Sequence, residues 1–433
     1  MVRVMSAPTT PPPGVDEALG LVEQLDEALI HGFARLGDEH RDRLGALVGV
    51  FEGSPLGAAV AEAVAAVGRS EFVARSFLAL ASARVALLGA AYDALVAQAR
   101  EALGRPSPPS EEPPPPPPGG SAALLASVQQ WLSELAIAGL KHLEETSVAP
   151  FAATLENLQA DPDLTGLAAL LTGFSNELIR YAPTSKQPAL PAFRWGDLWS
   201  AAMIRTHQAP GSSTFREAAG VLTPLGLDVQ AHENFLCAVL YGLFDDGEPR
   251  TVRVPFSGYK VDALAGAEAW DLFGPVAGPI LQALDGRKTL KIADAELRAD
   301  GDLILRSPPG VAGGADPFAA ADRLTALPPP PALFRHPVHI AEPVRLAAGH
   351  GLPIAWERLP DGSELTAEIV ADAAELIGLL RFDRGGWRVQ PLCAGTRKKY
   401  VISGEDLADR RKKLKNPALD VLKERSGRLL RKS

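Results

Sequence analysis

Six consecutive prolines, Pro113 to Pro118, followed by Gly119-Gly120, interrupt the chain. Proline fixes φ and carries no backbone N–H, so such a run holds an extended polyproline helix that neither a helix bundle nor a sheet can absorb. The stretch PSPPSEEPPPPPPGG, Pro106 to Gly120, is therefore expected as a spacer, a Pro-rich linker over residues 105–120. The segments on either side must build their own elements. A PxxP segment also fits an aromatic groove in another protein, which is a second reading of the same residues.

Upstream of the prolines the apolar period is helical. Leu21, Leu25, Ala28, Leu29 and Leu36 recur every three to four positions, Leu44, Leu47 and Phe51 continue the stripe, and Phe72 to Leu103 is one long run. Gly37, Gly53-Ser54-Pro55, and Gly68 with Ser70 separate the runs; Ser54 is expected as an N-cap and Pro55 as the first helical residue after it. After a disordered N-terminus over residues 1–14, residues 15–104 are thus expected as an antiparallel bundle of about four helices. Residues 121–183 return to helical spacing through Leu125, Val128, Leu132 and Leu135, broken at Pro150 and at Asp161-Pro162. This spacing fits either a second small bundle or the remainder of the first.

Residues 190–306 read as mixed α and β. Trp195, Trp199 and Met203 share one helical face as a core stripe, and Ala231 to Phe244, almost wholly apolar, reads as a deeply buried helix. Past Pro249 the period becomes two: Thr251 to Phe256 alternates, and Ala295 to Arg306 reads as a hairpin around Asp300-Gly301, with a helix expected between them over Glu268 to Leu284. Residues 307–337 form a Pro/Gly-rich junction. Residues 338–396 are expected as an antiparallel β region with two hairpins, one around Pro360-Asp361-Gly362 and one around Asp383 to Gly386. The expected fold class is multidomain: all-α N-terminal helical bundles, an α+β C-terminal body with antiparallel hairpins, and a basic helical tail over residues 397–433.

His336, His339, Glu342 and His350 are the densest collection of metal-ligating residue types. Pro337 and Pro343 bracket the segment Val338 to Ala341 and prevent a helical i, i+4 pair, while an extended backbone there would aim His336 and His339 to opposite faces. Isolated histidines are the expectation, and a metal-dependent hydrolase built on these four residues is the lesser reading. His232-Glu233 begins a zinc motif in which Leu236 stands where the second histidine is required. Gly286-Arg287-Lys288-Thr289 lacks the Gly-Lys step of a P-loop, and Gly349-His350-Gly351 lacks the third glycine of a dinucleotide fingerprint. No cofactor is called for, and no residue pattern specifies a small-molecule partner. Cys237 and Cys393, the only cysteines, allow no CxxC pair and are expected as buried free thiols. Uncharged apolar runs stop short of the roughly 17–25 residues that a spanning helix needs, so no transmembrane span is expected. The N-terminus is polar and Pro-rich, without an apolar core, and the expected compartment is the cytoplasm.

Charge is unevenly placed. The chain carries a net −9, yet Arg397 to Ser433 holds 13 Lys or Arg against 5 Asp or Glu, a local +8, which leaves −17 for the rest. Asn416-Pro417 opens a last helix whose Leu419, Leu422, Leu429 and Leu430 share one sector of the helical wheel, with Arg425 and Arg428 outside it. Arg410, Arg411, Lys412 and Lys413 crowd the end of the helix before it. Such a basic amphipathic end fits a partner protein, a nucleic acid held through its phosphates, or an anionic membrane surface. Several modules, two linkers and no complete catalytic motif favour a scaffold or adaptor, leaning away from an enzyme, that contacts other proteins through the helical bundle and this tail. A nucleic-acid-associated protein using residues 397–433 is the alternative.

Overall fold

The computed structural model describes residues 10–105, 119–208, 215–231, 235–259, 274–359, 363–396, 399–405 and 407. The polyproline core, the His232-Glu233 pair, the Pro360-Asp361-Gly362 turn and the tail from residue 408 lie outside the described residues. Helices fill the N-terminal half and antiparallel sheets the C-terminal half, an α+β layout.

Helix α1 spans Val15–His31, with Asp16 and Glu17 in its first turn and His31 in its last, the charge order that suits the helix dipole. It turns Leu21, Val22, Leu25, Ala28 and Leu29 inward. Helices α2, Asp38–Val50, and α3, Gly57–Gly68, follow, and α4, Ala74–Leu103, runs for 30 residues to Gly104 at φ +62°. Helix α3 begins two residues later than expected. Ser54 is not its cap: the hydroxyl donates back to the Phe51 carbonyl at 2.8 Å, closing a turn that occupies Phe51 to Leu56.

Beyond the linker come α5, Ala122–Ala138, the short α6, Glu145–Val148, then α7, Ala152–Ala160, α8, Thr165–Tyr181, and α9, Ala192–Arg205. Leu25, Phe77, Leu132, Phe174 and the Trp195, Trp199 and Met203 stripe belong to one buried cluster. The helices before and after the prolines therefore share a core.

That core contains a repeat. A step of 107 positions carries Leu25 to Leu132, Gly32 to Gly139, Leu36 to Leu143 and Pro55 to Pro162. The same step pairs buried residues of differing type: Leu21 with Val128, Phe33 with Leu140, Leu44 with Phe151, Phe51 with Leu158, Val60 with Leu167, and Val67 with Phe174. Helices α1 and α5 are both 17 residues long, both end at a glycine of positive φ (+95° and +88°), and both run into a three-residue 3-10 turn, Phe33–Arg35 or Leu140–His142. The two glycines meet. A Cβ on Gly32 would lie 2.7 Å from the Ala138 carbonyl and the Gly139 nitrogen, and one on Gly139 would lie 2.5 Å from the His31 carbonyl and 2.6 Å from the Gly32 nitrogen. Helix α1 packs on the turn after α5, and α5 packs on the turn after α1. This reciprocity is that of a two-fold contact.

The large sheet has the order β3-β2-β1-β4-β5, with β6 also pairing β4. Its strands are β1, Phe215–Ala231, β2, Phe235–Asp245, β3, Arg250–Tyr259, β4, Lys288–Arg298, β5, Leu303–Leu305, and β6, Gly310–Gly314, and every pairing is antiparallel. Of the segment Ala231 to Phe244, expected as a helix, Ala231 ends β1 and Phe235 to Phe244 belong to the strand β2: with no exposed position from Leu236 to Phe244, it shows an apolar run with no alternation to betray it. The Asp300-Gly301 hairpin forms between β4 and β5, and α10, Gly274–Asp285, covers the sheet, overlapping the helix expected over Glu268 to Leu284 and running on through Pro279. A short helix α11, Pro317–Ala321, capped by the Asp316 side chain, lies in the Pro/Gly-rich junction.

The small sheet has the order β10-β9-β8-β7, from β7, Glu342–Ala347, β8, Glu375–Asp383, β9, Gly386–Gly395, and β10, Tyr400–Ile402. The hairpin at Asp383 to Gly386 is present, whereas the other expected hairpin is not: a 3-10 turn at Trp356–Arg358 and the helix α12, Ala367–Asp372, capped by Thr366, stand where two strands were expected. Residues 400–402, assigned to a helical tail, are a strand on the sheet edge. The sheets join through Asp228 of β1, which accepts from Arg381 Nη2 at 2.7 Å and from Gln390 Nε2 at 2.8 Å, while Arg381 Nε donates to Gln390 Oε1 at 2.9 Å. All three residues are buried.

The lower half of α4 lies against the small sheet, where Tyr92, Leu95, Val96 and Ala99 cluster with Ile340, Leu380, Trp387 and Val389. By length and composition alone α4 is apolar enough to cross a membrane. Its apolar residues are instead used inside these two cores.

Candidate functional site at the seam of helices and sheet

The repeat shows where the helical halves differ. Leu19, Glu23 and Asp26 of α1 correspond to Ala126, Gln130 and Ser133 of α5. Asp26 and Ser133 are both buried, but Ser133 only returns its hydroxyl to the Gln129 carbonyl at 2.7 Å. Asp26 instead accepts from Arg84 of α4 twice, from Nε at 2.7 Å and from Nη2 at 3.0 Å. The guanidinium is 2% exposed and is otherwise occupied by Asp197 Oδ1 at 2.6 Å and the Phe193 carbonyl at 3.0 Å, both from α9. Burial pushes the Asp26 carboxyl up to about 6, against the pull of Arg84. Gly196 of α9 makes room for the pair: a Cβ there would overlap Asp26 Oδ1 and stand 2.8 Å from Arg84 Nε.

Arg84 lies over the Phe193 ring at 5.1 Å, and that ring meets His336 edge-on at 4.7 Å. Pro337 bends the chain into a 3-10 turn at Pro337–His339, so His336 and His339 do not take opposite faces; their rings are 5.6 Å apart. The Val338 amide donates to His336 Nδ1 at 2.9 Å, which leaves the proton of the neutral ring on Nε2. That Nε2 is buried and has no hydrogen-bond partner among the described residues. Burial, with His339 and Arg84 nearby, pushes the ring down to about 3.

The remaining expected ligands are held elsewhere. His339 Nδ1 donates to the Phe334 carbonyl at 3.1 Å, and His350 Nδ1 accepts the Leu352 amide at 3.1 Å. Glu342 accepts from Arg105 at 2.7 Å, with Arg100 at 3.9 Å. His339 and Glu342 line a void of about 20 Å³, room for a single water, beside Tyr92 and Arg253. Among the described residues no group of three His, Cys, Asp or Glu side chains converges on one point. Cys393 is buried and Cys237 half-buried, and burial raises both thiols.

Asp26 and His336 both face a cleft of about 500 Å³ between the helices and the small sheet. Leu19, Phe193, Val338 and Phe382 give it an apolar wall, and Glu23 and Glu27 stand on the helical lip. The opposite lip is the β8–β9 turn, where Arg384 holds φ +53°, a left-handed conformation rare outside glycine. The arrangement offers an apolar slot, acidic groups at one edge and one buried N–H donor. Arg410, Arg411, Lys412, Lys413, Arg425, Arg428, Leu419, Leu422, Leu429 and Leu430 lie outside the described residues.

Sequence patterns singled out His336 for its chemistry but missed Asp26, Arg84 and Asp197. These three come from separate helices, with separations of 58 and 113 positions. The signal available was the repeat, in which a charged aspartate replaces the serine of the other half.

No family model, curated protein or solved structure matches the chain.

Proposed function

We propose that the chain is a non-catalytic scaffold or adaptor of a multiprotein assembly, and that the seam cleft is where a partner docks. The observation that carries this reading is the state of Phe193 and Val338, which remain 41% and 39% exposed on the wall of an apolar cleft with a carboxylate lip. A partner segment presenting an apolar side chain beside a Lys or Arg complements that surface. The test is cross-linking and quantitative recovery from native lysate with the intact chain, Phe193→Asp and Val338→Asp. A single stoichiometric partner, cross-linked at Glu23 or Glu27 and lost in both variants, is expected. Recovery of the chain alone, or a partner retained equally by both variants, overturns the reading.

The net +8 of residues 397–433 supports a second reading, association with nucleic acid through Arg410 to Lys432. Phosphate contacts make binding fall steeply with salt. Filter binding across a salt series, with and without residues 403–433, separates the readings; equal weak binding by both forms removes the second.

A further inference from the structure

Phe215 of β1 and Arg298 of β4 are cross-strand partners in the large sheet. With Arg216 and Arg250 they border a cavity of about 440 Å³. Three guanidinium groups around one cavity repel one another unless acids neutralise them. Two are neutralised: Arg216 and Arg250 both donate to Asp246, Arg250 at 3.2 Å, and Arg250 also reaches Glu248 at 3.2 Å.

Arg298 differs. The side chain is half-buried, its Nε is buried without an acceptor among the described residues, and its charge reaches Asp302 only through space. The nearby aspartates are committed, Asp302 Oδ1 to Arg253 Nε at 2.7 Å and Asp300 Oδ1 to the Asp302 amide at 3.1 Å. A half-buried guanidinium that borders a cavity and that no described carboxylate pairs is a ready partner for an incoming anion. Phe215, 54% exposed, offers one face of its ring, and Arg306 stands 5.8 Å from the centroid. Leu297, Ala326 and Pro328 supply the remaining apolar surface. The volume lies in the range of small-molecule pockets, well above what a bare phosphate needs.

We propose that this cavity binds a small organic oxyanion, a carboxylate or phosphate monoester, with the anionic group on Arg298 and an apolar or aromatic body against Phe215. A guanidinium holds such a group through two parallel N–H donors, which a lysine cannot reproduce. The site is independent of the seam cleft.

The test uses the full chain, with benzoate, phenyl phosphate and the neutral benzyl alcohol as probes, followed by calorimetry and thermal unfolding. One or both anions are expected to bind saturably and raise the unfolding midpoint, with benzyl alcohol inert; which anion wins distinguishes the carboxylate from the phosphate source. Arg298→Gln should weaken binding by about tenfold or more, and Arg298→Lys should recover only part of it. Phe215→Ala, at an exposed position, gives a second reading free of folding defects and should also weaken binding. The proposal fails if neither anion binds, or if Arg298→Gln and Phe215→Ala bind as the unmodified chain does.

Discussion

Gly196 of α9 lies against the carboxylate of Asp26, closer than any residue carrying a Cβ could come. Gly196→Ala therefore drives the Asp26–Arg84 pair apart inside the core. Breaking a buried pair costs about 3–5 kcal/mol, and urea unfolding should show a loss of that order. Gly173→Ala in α8, where a methyl meets open space, is the control and should stabilise by about 0.5–1 kcal/mol. Equal effects from the two substitutions would show that the contact is not tight.

Acid should act on the seam through two opposed titrations. Asp26 sits at about 6 in the fold against an ordinary 3.8, so the folded chain holds a proton that the unfolded chain has released, and its contribution to stability falls as the pH rises through that window. His336 sits at about 3 against an ordinary 6.5, so its contribution is complete above 6.5 and is lost as the pH falls toward 3, at most roughly 5 kcal/mol. Asp26→Asn should steepen the acid loss of stability, and His336→Gln should flatten it. Urea midpoints between pH 4 and 7 decide, and three parallel curves would remove the assignment.

The glycine contact at the centre of the repeat predicts coupling. Gly32→Ala and Gly139→Ala each place a methyl on the opposing backbone and strain a positive φ, so each should destabilise. Because the two methyls separate the same pair of helix ends, the double substitution should cost less than the sum of the singles, by about 0.5 kcal/mol or more. Strict additivity in a double-mutant cycle would mean that the ends do not touch.

Asp228 and Arg381 predict an asymmetry of a different kind. Arg381→Met strands a buried carboxylate and should cost about 3–5 kcal/mol, whereas Asp228→Leu with Arg381→Met removes both charges and should recover part of that loss. Chemical denaturation of the single and double variants measures it.

Much of the helical half was legible because one buried face imposes a 3.6-residue period, as in Leu21, Leu25 and Leu29. The strand β2 was not, since a segment with no exposed position has no period to read, and Leu236 to Phe244 looks alike in either state. The hairpin at Asp383 to Gly386 was visible through its glycines. Leu352 to Arg358 carried similar local signals, but only Ile354 bridges Val389 of β9 before the chain closes into the 3-10 turn at Trp356–Arg358. His336 was recognised as a reactive type, yet its direction depended on Pro337 closing a turn. The repeat eluded a reading by elements because its two copies keep the glycine, a few leucines and a proline, while the intervening core positions change type.

The position of α4 between two cores has a consequence for biosynthesis. Gln98 accepts the indole N–H of Trp387, a residue 289 positions downstream. At roughly 5–20 residues per second, a ribosome needs on the order of 15 to 60 seconds to cover that distance. During that interval Tyr92, Leu95, Val96 and Ala99 have no sheet to lie on, so the nascent chain carries an apolar stripe at the end of an otherwise completed helix.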